Sequence, residues 1–230
     1  MKDWFPLTSY DFYSYLACGM VFLIGLDYCY TSGQLLRHDW TVFQGTIAIA
    51  LAYIVGQIIA IPASMIFEHW LVRNILRPPA VVMLSEQQSR IEHFIEKFLI
   101  GRHYSPLPKN VIHRIYNRAQ EETNLSHTEL QADVYEVIAP ALVNARNSQE
   151  TTKRIDFFRN QYSFSRNVSF SSLLVFFFLC DSSFRLSGKV EVNAILFSIF
   201  VCIGMFVRFL KFYSSTSAEV LRSYAKQHKL

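Results

Sequence analysis

The chain is short of charge. Asp, Glu, Lys and Arg make up 17% of its residues, where soluble domains average about 25%. The shortage is local, with four windows almost free of charge and a middle dense in it. Paired cysteines are missing too. Cys18, Cys29, Cys180 and Cys202 all fall in apolar windows and form no CxxC, which argues against a zinc site and a disulfide framework and suits small core residues. No HExxH, GxSxG, Walker A or GxGxxG is present, so the common routes to metal-assisted, nucleophilic and phosphate-binding chemistry lack their signatures. The seven His are scattered. Glu92, His93 and Glu96 share one helical turn, an arrangement that usually marks a solvated face. The expectation is no enzyme, no metal and no cofactor. No alternating strand pattern and no internal repeat interrupts the chain.

What is there is apolar and aromatic. Hydrophobic residues make up 51%, with 20 Phe, 12 Tyr and 3 Trp. Four windows approach the twenty or so apolar residues that cross a hydrocarbon core about 30 Å thick: about Phe12–Tyr30, Val42–Phe67, Val168–Phe184 and Val192–Tyr213. The segment before the first, MKDWFPLTSY, lacks a positive run, and no small-residue cleavage pattern follows that window, which reads as a retained span. Of the 22 Lys and Arg, Arg37 lies between spans 1 and 2, and Arg185 and Lys189 lie between spans 3 and 4. The remaining 19 fall on the other side, and positive-inside bias places that side, with both termini, in the cytoplasm. Trp4, Tyr10, Trp70 and Tyr213 would mark the inner interface; Tyr28, Tyr30 and Trp40 the outer one.

The expected fold is an all-α membrane protein, four transmembrane helices with a helical cytoplasmic insert between spans 2 and 3. The divisions are an N-terminal hairpin (1–69), the insert (70–166), a C-terminal hairpin (167–214) and a cytoplasmic tail (215–230). In the insert, Ser85 to Gln88 has the form of a capping box ahead of SRIEHFIEKFLIG, with Gly101 a stop. RHYSPLPKN is a turn. A helix follows over about Lys109 to Thr123. Ser126 to Glu129 forms a second capping box and opens a helix to about Asn147, kinked at Pro140. From about Thr151 the chain reads as helix straight into span 3. Span 2 reads as continuing through EHWLVRNIL until Arg77-Pro78-Pro79 ends it.

Several features could carry function. Span 2 places Ala48, Ala52, Gly56, Ala60 and Ser64 on one face, which suits close packing within one bundle, a subunit interface or a pore-lining helix. Gln57 lies near its middle. The run RNQYSFSRNVSFSS brings Ser165, Asn167, Ser169 and Ser172 to the start of span 3, either bonded back to their own helix or lining a wet vestibule. Asp27 and Asp181 sit near the outer ends of spans 1 and 3. In an oligomer either would repeat as a ring favouring cations; otherwise Asp181 pairs with Arg185 and Asp27 is solvated. The basic stretch Arg73 to Arg118 holds eight cations against Glu86, Glu92 and Glu96, and Ala119 to Glu150 reverses the balance. Arg102, Lys109, Arg114 and Arg118, interleaved with His and Tyr, suit phosphates and stacked bases, or anionic lipid heads, or the acidic stretch of a neighbouring subunit.

In layout, spans joined to a cytosolic helical sensor, the chain resembles small bacterial anti-phage membrane effectors of channel type. That resemblance covers architecture, and no functional residue is carried over from it. The leading reading is a homo-oligomeric channel or membrane-disrupting effector in the inner (plasma) membrane, a tetramer favoured, gated through its insert by an anionic ligand or a partner protein. The resemblance implies a nucleotide or nucleic-acid signal, single-stranded nucleic acid among the ligands, and anti-phage defence. A non-conducting anchor that recruits a cytosolic partner protein is the alternative.

Overall fold

The computed structural model describes residues 9–31, 39–85, 89–97, 101–185 and 192–226. Every element among them is helical: α1 (Ser9–Thr31), α2 (Val42–Ala63) followed by a π-helical segment (Ser64–Leu76), α3 (Pro79–Leu84), α4 (Arg90–Ile95), a 3₁₀ turn (Gly101–Tyr104), α5 (Lys109–Thr123), α6 (His127–Ala132), α7 (Tyr135–Arg146), α8 (Gln149–Arg185) and α9 (Val192–Lys226). Four helices are long and apolar enough to cross a membrane: α1, α2 with its continuation, α8 and α9. The chain thus has the architecture of a multi-pass membrane protein. Burial agrees with composition. In the most apolar windows of α2 and α9, 22% of residues are buried, so faces carrying Val42, Ile58, Ile61, Phe197 and Phe200 are open. An apolar helix that bares most of its circumference needs lipid or protein around it, not water.

The chain divides into two compact units. The first comprises Met1–Trp70 and Ser163–Phe209. Here α1 and α2 meet backbone to backbone: a Cβ built on Gly56 would lie 1.8 Å from the carbonyl oxygen of Tyr15. Small residues permit such approach, and Ala52 and Ala60 are buried with Gly56 on the same face. Phe12 stacks on Tyr53 (centroids 5.2 Å apart). Phe67 sits edge-on to Phe170 and Phe206. Helix α2 opens with a capping box, the Thr41 hydroxyl accepting from the Gln44 N–H (3.3 Å) and the Gln44 side chain accepting from the Thr41 N–H (3.0 Å). Pro62 has no N–H to give the ladder, and two residues later the helix runs in π register.

The second unit comprises Leu71–Tyr162 and Leu210–Leu230. Its core joins Met83, Leu84, Ile115, Tyr116, Leu130, Val137 and Ala141 to Val220, Leu221 and Tyr224. The stretch after 214, set apart as a tail in the sequence, is therefore helix with a buried face. Helix α5 spans the predicted residues and ends at Asn124, which takes the left-handed conformation (φ 58°) that asparagine tolerates. The box expected from Ser85 to Gln88 falls on residues 86–88, which lie outside those described; the Ser85 hydroxyl donates to the Val82 carbonyl (2.8 Å) at the end of α3. A capping box stands at the start of α4, where Ser89 and Glu92 exchange bonds of 3.2 and 2.8 Å. Glu92 can serve there because Arg77 Nη1 also reaches it, at 3.3 Å. The helix expected over 126–147 is two helices. Asp133 is extended, and its carboxylate accepts from the Tyr135 N–H (3.0 Å), a local bond that competes with the helical ladder.

Candidate functional site

The second unit contains a cleft of ≈ 700 Å³, within the range of small-molecule pockets. Pro108, at the N-cap, fixes the start of α5. Helical spacing then brings Lys109, His113 and Tyr116 along one face, and all three line the cleft with Asn110. Helix α6 supplies His127 and Gln131. The His127 ring lies against Tyr116, centroids 4.9 Å apart. Leu84, Leu107 and Ile112 provide apolar wall. Helix α6 is set by Ser126, whose hydroxyl and N–H both donate to Glu129 (2.6 and 2.8 Å). Those two bonds, the hydroxyl's first, hold the Glu129 carboxyl below the usual carboxylate range. An ammonium, two imidazoles, two amides and a phenol ring around an apolar wall can hold an anionic group beside a flat, partly apolar one. The positive end of the α5 dipole acts in the same direction.

Of the four cations predicted for ligand binding, Lys109 and Arg118 are not gathered in one place. Lys109 lines the cleft. Nine residues at 100° each put Arg118 about half a turn round the helix from it. Arg118 is committed elsewhere: its Nη1 donates to the Tyr224 carbonyl (2.7 Å), its Nε pairs with Glu122 (2.8 Å), and its guanidinium lies 4.4 Å from the Tyr224 ring centroid. Tyr224 in turn donates to Glu122 (2.9 Å), and burial first, then Glu122, pushes its phenol above the usual range. Arg118 thus closes the end of α9. Arg114 is exposed, and its Nε donates to the Asn110 carbonyl (3.2 Å). Arg102 belongs to the 3₁₀ turn, and its side chain lies outside the described residues.

In the first unit the polar residues of span 3 face protein. Ser165, Asn167, Ser169 and Ser172 are buried, and α8 is the most enclosed of the four long helices, at 56% of its apolar window. Ser169 donates to the Cys202 carbonyl (2.8 Å), Ser171 to the Cys18 carbonyl (2.8 Å), Ser182 to the Cys29 carbonyl (3.3 Å), and Ser198 to the Ser172 carbonyl (2.8 Å). These bonds run along a seam that ties α8 to α1 and α9, each worth about 0.6 kcal/mol by the average for membrane proteins. Asn167 donates to the Ser14 hydroxyl (3.3 Å) and accepts from Arg166 (3.0 and 3.1 Å). Arg166 also pairs with Glu68, so that an arginine at the start of the span meets an acid from the π segment. Asp27 is buried and accepts from the Thr31 hydroxyl. Asp181 is half-buried; the Arg185 side chain, its expected partner, lies outside the described residues. Gln57 is exposed and donates to the Tyr53 hydroxyl (2.9 Å).

No protein-family model, curated protein or solved structure matches this chain. The functional reading therefore rests on the geometry. Sequence reasoning passed over His127 and Gln131 as cleft residues. No spacing rule relates them to His113, because the turn after Thr123 brings α6 to α5 through tertiary contact. The usable signal was indirect: the Ser126 capping box fixes where α6 begins, and so where His127 points. The Glu68–Arg166 pair, 98 residues apart in the chain, left no local trace.

Proposed function

We propose that this chain is the subunit of an oligomeric membrane channel or membrane-disrupting effector, gated through its helical insert by an anionic ligand, a nucleotide or single-stranded nucleic acid. The observation that carries the reading is the cleft in which Lys109, His113, His127 and Tyr116 combine cationic and stacking groups. Two long helices make such a site useful. Residues of α8 and of α9 belong to both compact units, so each is one unbroken helix through which a change at the insert can reach a span. The bias of basic residues supports both termini and the insert on the cytoplasmic side of the inner membrane. Open apolar faces on α2 and α9 support assembly with further copies, a tetramer being the favoured number, and the layout suits anti-phage defence.

A second reading has its own support. The polar groups of span 3 are satisfied largely inside one chain, as a dry bundle would have them. A non-conducting anchor that recruits a cytosolic partner protein through the insert fits that seam.

Ion flux from liposomes carrying the purified protein separates the two. The expected result is flux evoked by a nucleotide or oligonucleotide, weakened by salt because neutralised phosphates release counterions, and reduced at least about tenfold by Lys109→Glu with His113→Ala, the loss of about 1.4 kcal/mol or more of binding. No flux under any condition removes the channel. Flux indifferent to ligand and to the double substitution keeps the channel and discards the cleft as its sensor.

A further inference from the structure

Helix α7 turns one face inward and one outward. Val137, Ala141 and Ala145 are buried in the core of the second unit. Tyr135, Ala139, Leu142, Val143 and Arg146 recur at helical steps on the other side, and all five are exposed. Val143 is 66% exposed and Tyr135 51%. An apolar stripe left open on a surface marks a contact more often than an accident of composition.

The charges around the stripe narrow down what covers it. Ala119 to Glu150 holds six acids against one base, Arg146. An anionic lipid surface repels such a stretch. Two charges on α7 itself go further. Glu136 stands in its first turn and Arg146 in its last. Both are exposed, and neither forms an ion pair among the described residues. Ten positions separate them, about 15 Å along the axis, too far to pair with each other. A second α7 running antiparallel, related by a two-fold axis level with Ala141, supplies both partners. Glu136 of each copy then stands level with Arg146 of the other, and the small Ala139 stands level with Val143. A two-fold interface makes every such contact twice. The stripe is thus complementary to itself in charge and in size.

We propose that the outer face of α7 is an interface between copies of this chain, pairing antiparallel with α7 of a second copy through Tyr135, Ala139, Leu142 and Val143, with Glu136 and Arg146 setting the register. The helix has 12 residues and is about 18 Å long, so the pair buries less than the roughly 800 Å² per partner of a standard interface. It joins copies that one bilayer already holds close, where confinement raises their effective concentration. The inference rests on the oligomeric reading above and names one contact within it.

The test is disulfide trapping of the full chain in cell membranes, oxidised with copper phenanthroline and resolved without reductant. Leu142 lies one residue from the axis, so its two copies differ by about 3 Å in height, whereas those of Tyr135 differ by about 18 Å. Leu142→Cys should give a dimer several-fold above the parent, which carries four cysteines of its own. Tyr135→Cys should stay at the parent level. Glu136→Arg or Arg146→Glu, each added to Leu142→Cys, should cut the yield several-fold by setting like charges level. Both sites are exposed, so the core beneath stays intact, and the two swaps together should restore the dimer. Equal trapping at Leu142 and Tyr135 overturns the antiparallel register, as does a double swap that restores nothing. Trapping at the parent level, while an amine-reactive cross-linker still captures oligomers, overturns the pairing and spares the oligomer. Monomer with both reagents overturns both. A disulfide from Leu142→Cys to a different protein overturns the pairing in favour of the anchor.

Discussion

Gly19 and Gly56 occupy the place where α1 and α2 approach until main chain touches main chain. A Cβ on Gly19 would stand 1.7 Å from the Ala52 carbonyl oxygen; on Gly56, 1.8 Å from that of Tyr15. Neither obstacle is a side chain that can rotate away. Gly45, on the same helix as Gly56, would meet nothing within 4 Å. Gly19→Ala and Gly56→Ala should therefore lose at least the roughly 1–3 kcal/mol typical of an overfilled core, with lower yield and a lower melting temperature in detergent. Gly45→Ala should stay within about 0.5 kcal/mol of the parent. Equal melting of the Gly19 and Gly45 variants would mean that the two helices do not meet there. Half of this contact was legible in the sequence. Ala52, Gly56 and Ala60 recur at four-residue spacing, a pattern periodicity detects. Gly19 does not, because the next glycine in LACGMVFLIGL, Gly25, stands six residues on and shares no helical period with it.

Among the elements, the π segment after α2 ends at a corner held by three side chains. Arg77 takes φ 61°, a conformation that L residues with a Cβ adopt at a cost of about 1–2 kcal/mol. Tyr104 donates its hydroxyl to the Leu76 and Arg77 carbonyls, and Glu92 pairs with the Arg77 guanidinium. Burial first, then the Glu92 charge, raises the Tyr104 phenol well above its ordinary value. The folded chain keeps that proton where the unfolded chain releases it, at about pH 10. Its contribution to stability is then complete below about pH 10 and is lost as pH climbs through that value toward the folded-state one. Tyr224, also raised, acts in the same direction. Thermal melts followed by circular dichroism from about pH 9 to 11 should fall steadily for the parent. Tyr104→Phe should melt lower at neutral pH, by about 1–3 kcal/mol for the carbonyls left unpaired, and show a shallower alkaline decline; an unchanged slope would remove Tyr104 as a cause. Legibility at this scale followed locality. The Ser126–Glu129 box, α5 and the stop at Arg77-Pro78-Pro79 depend on residues a few positions apart and could be read. The Arg77–Glu92 pair joins residues 15 apart, and the seam of serines depends on carbonyl groups of other helices, neither of which a local pattern contains. The cleft was half visible, through Lys109 and His113 on one helix, and half hidden on α6.

On the scale of the molecule, hydropathy and charge bias draw four spans and an insert because both act along the chain in one dimension. They do not show that the insert borrows from the far end. Val220, Leu221 and Tyr224 are almost fully buried in the core of the second unit, yet they sit among Ser, Glu, Arg and Lys and read as a polar tail. Truncation after Phe209 should strip this unit of one wall of its core. Limited proteolysis of the shortened protein should then cleave around Ile115 to Val137, while the corresponding bonds in the full chain resist. Resistance in both would show that the unit closes without the last helix. The two-part make-up of the second unit also orders events during synthesis. Leu71–Tyr162 leaves the ribosome early, but the residues that complete its core follow the last span. Until that span has been handed to the bilayer, the core that supports the cleft we assign to ligand is incomplete. A half-inserted chain would then be deaf to its signal, and the protein would carry its own safeguard against opening a membrane before it is fully threaded.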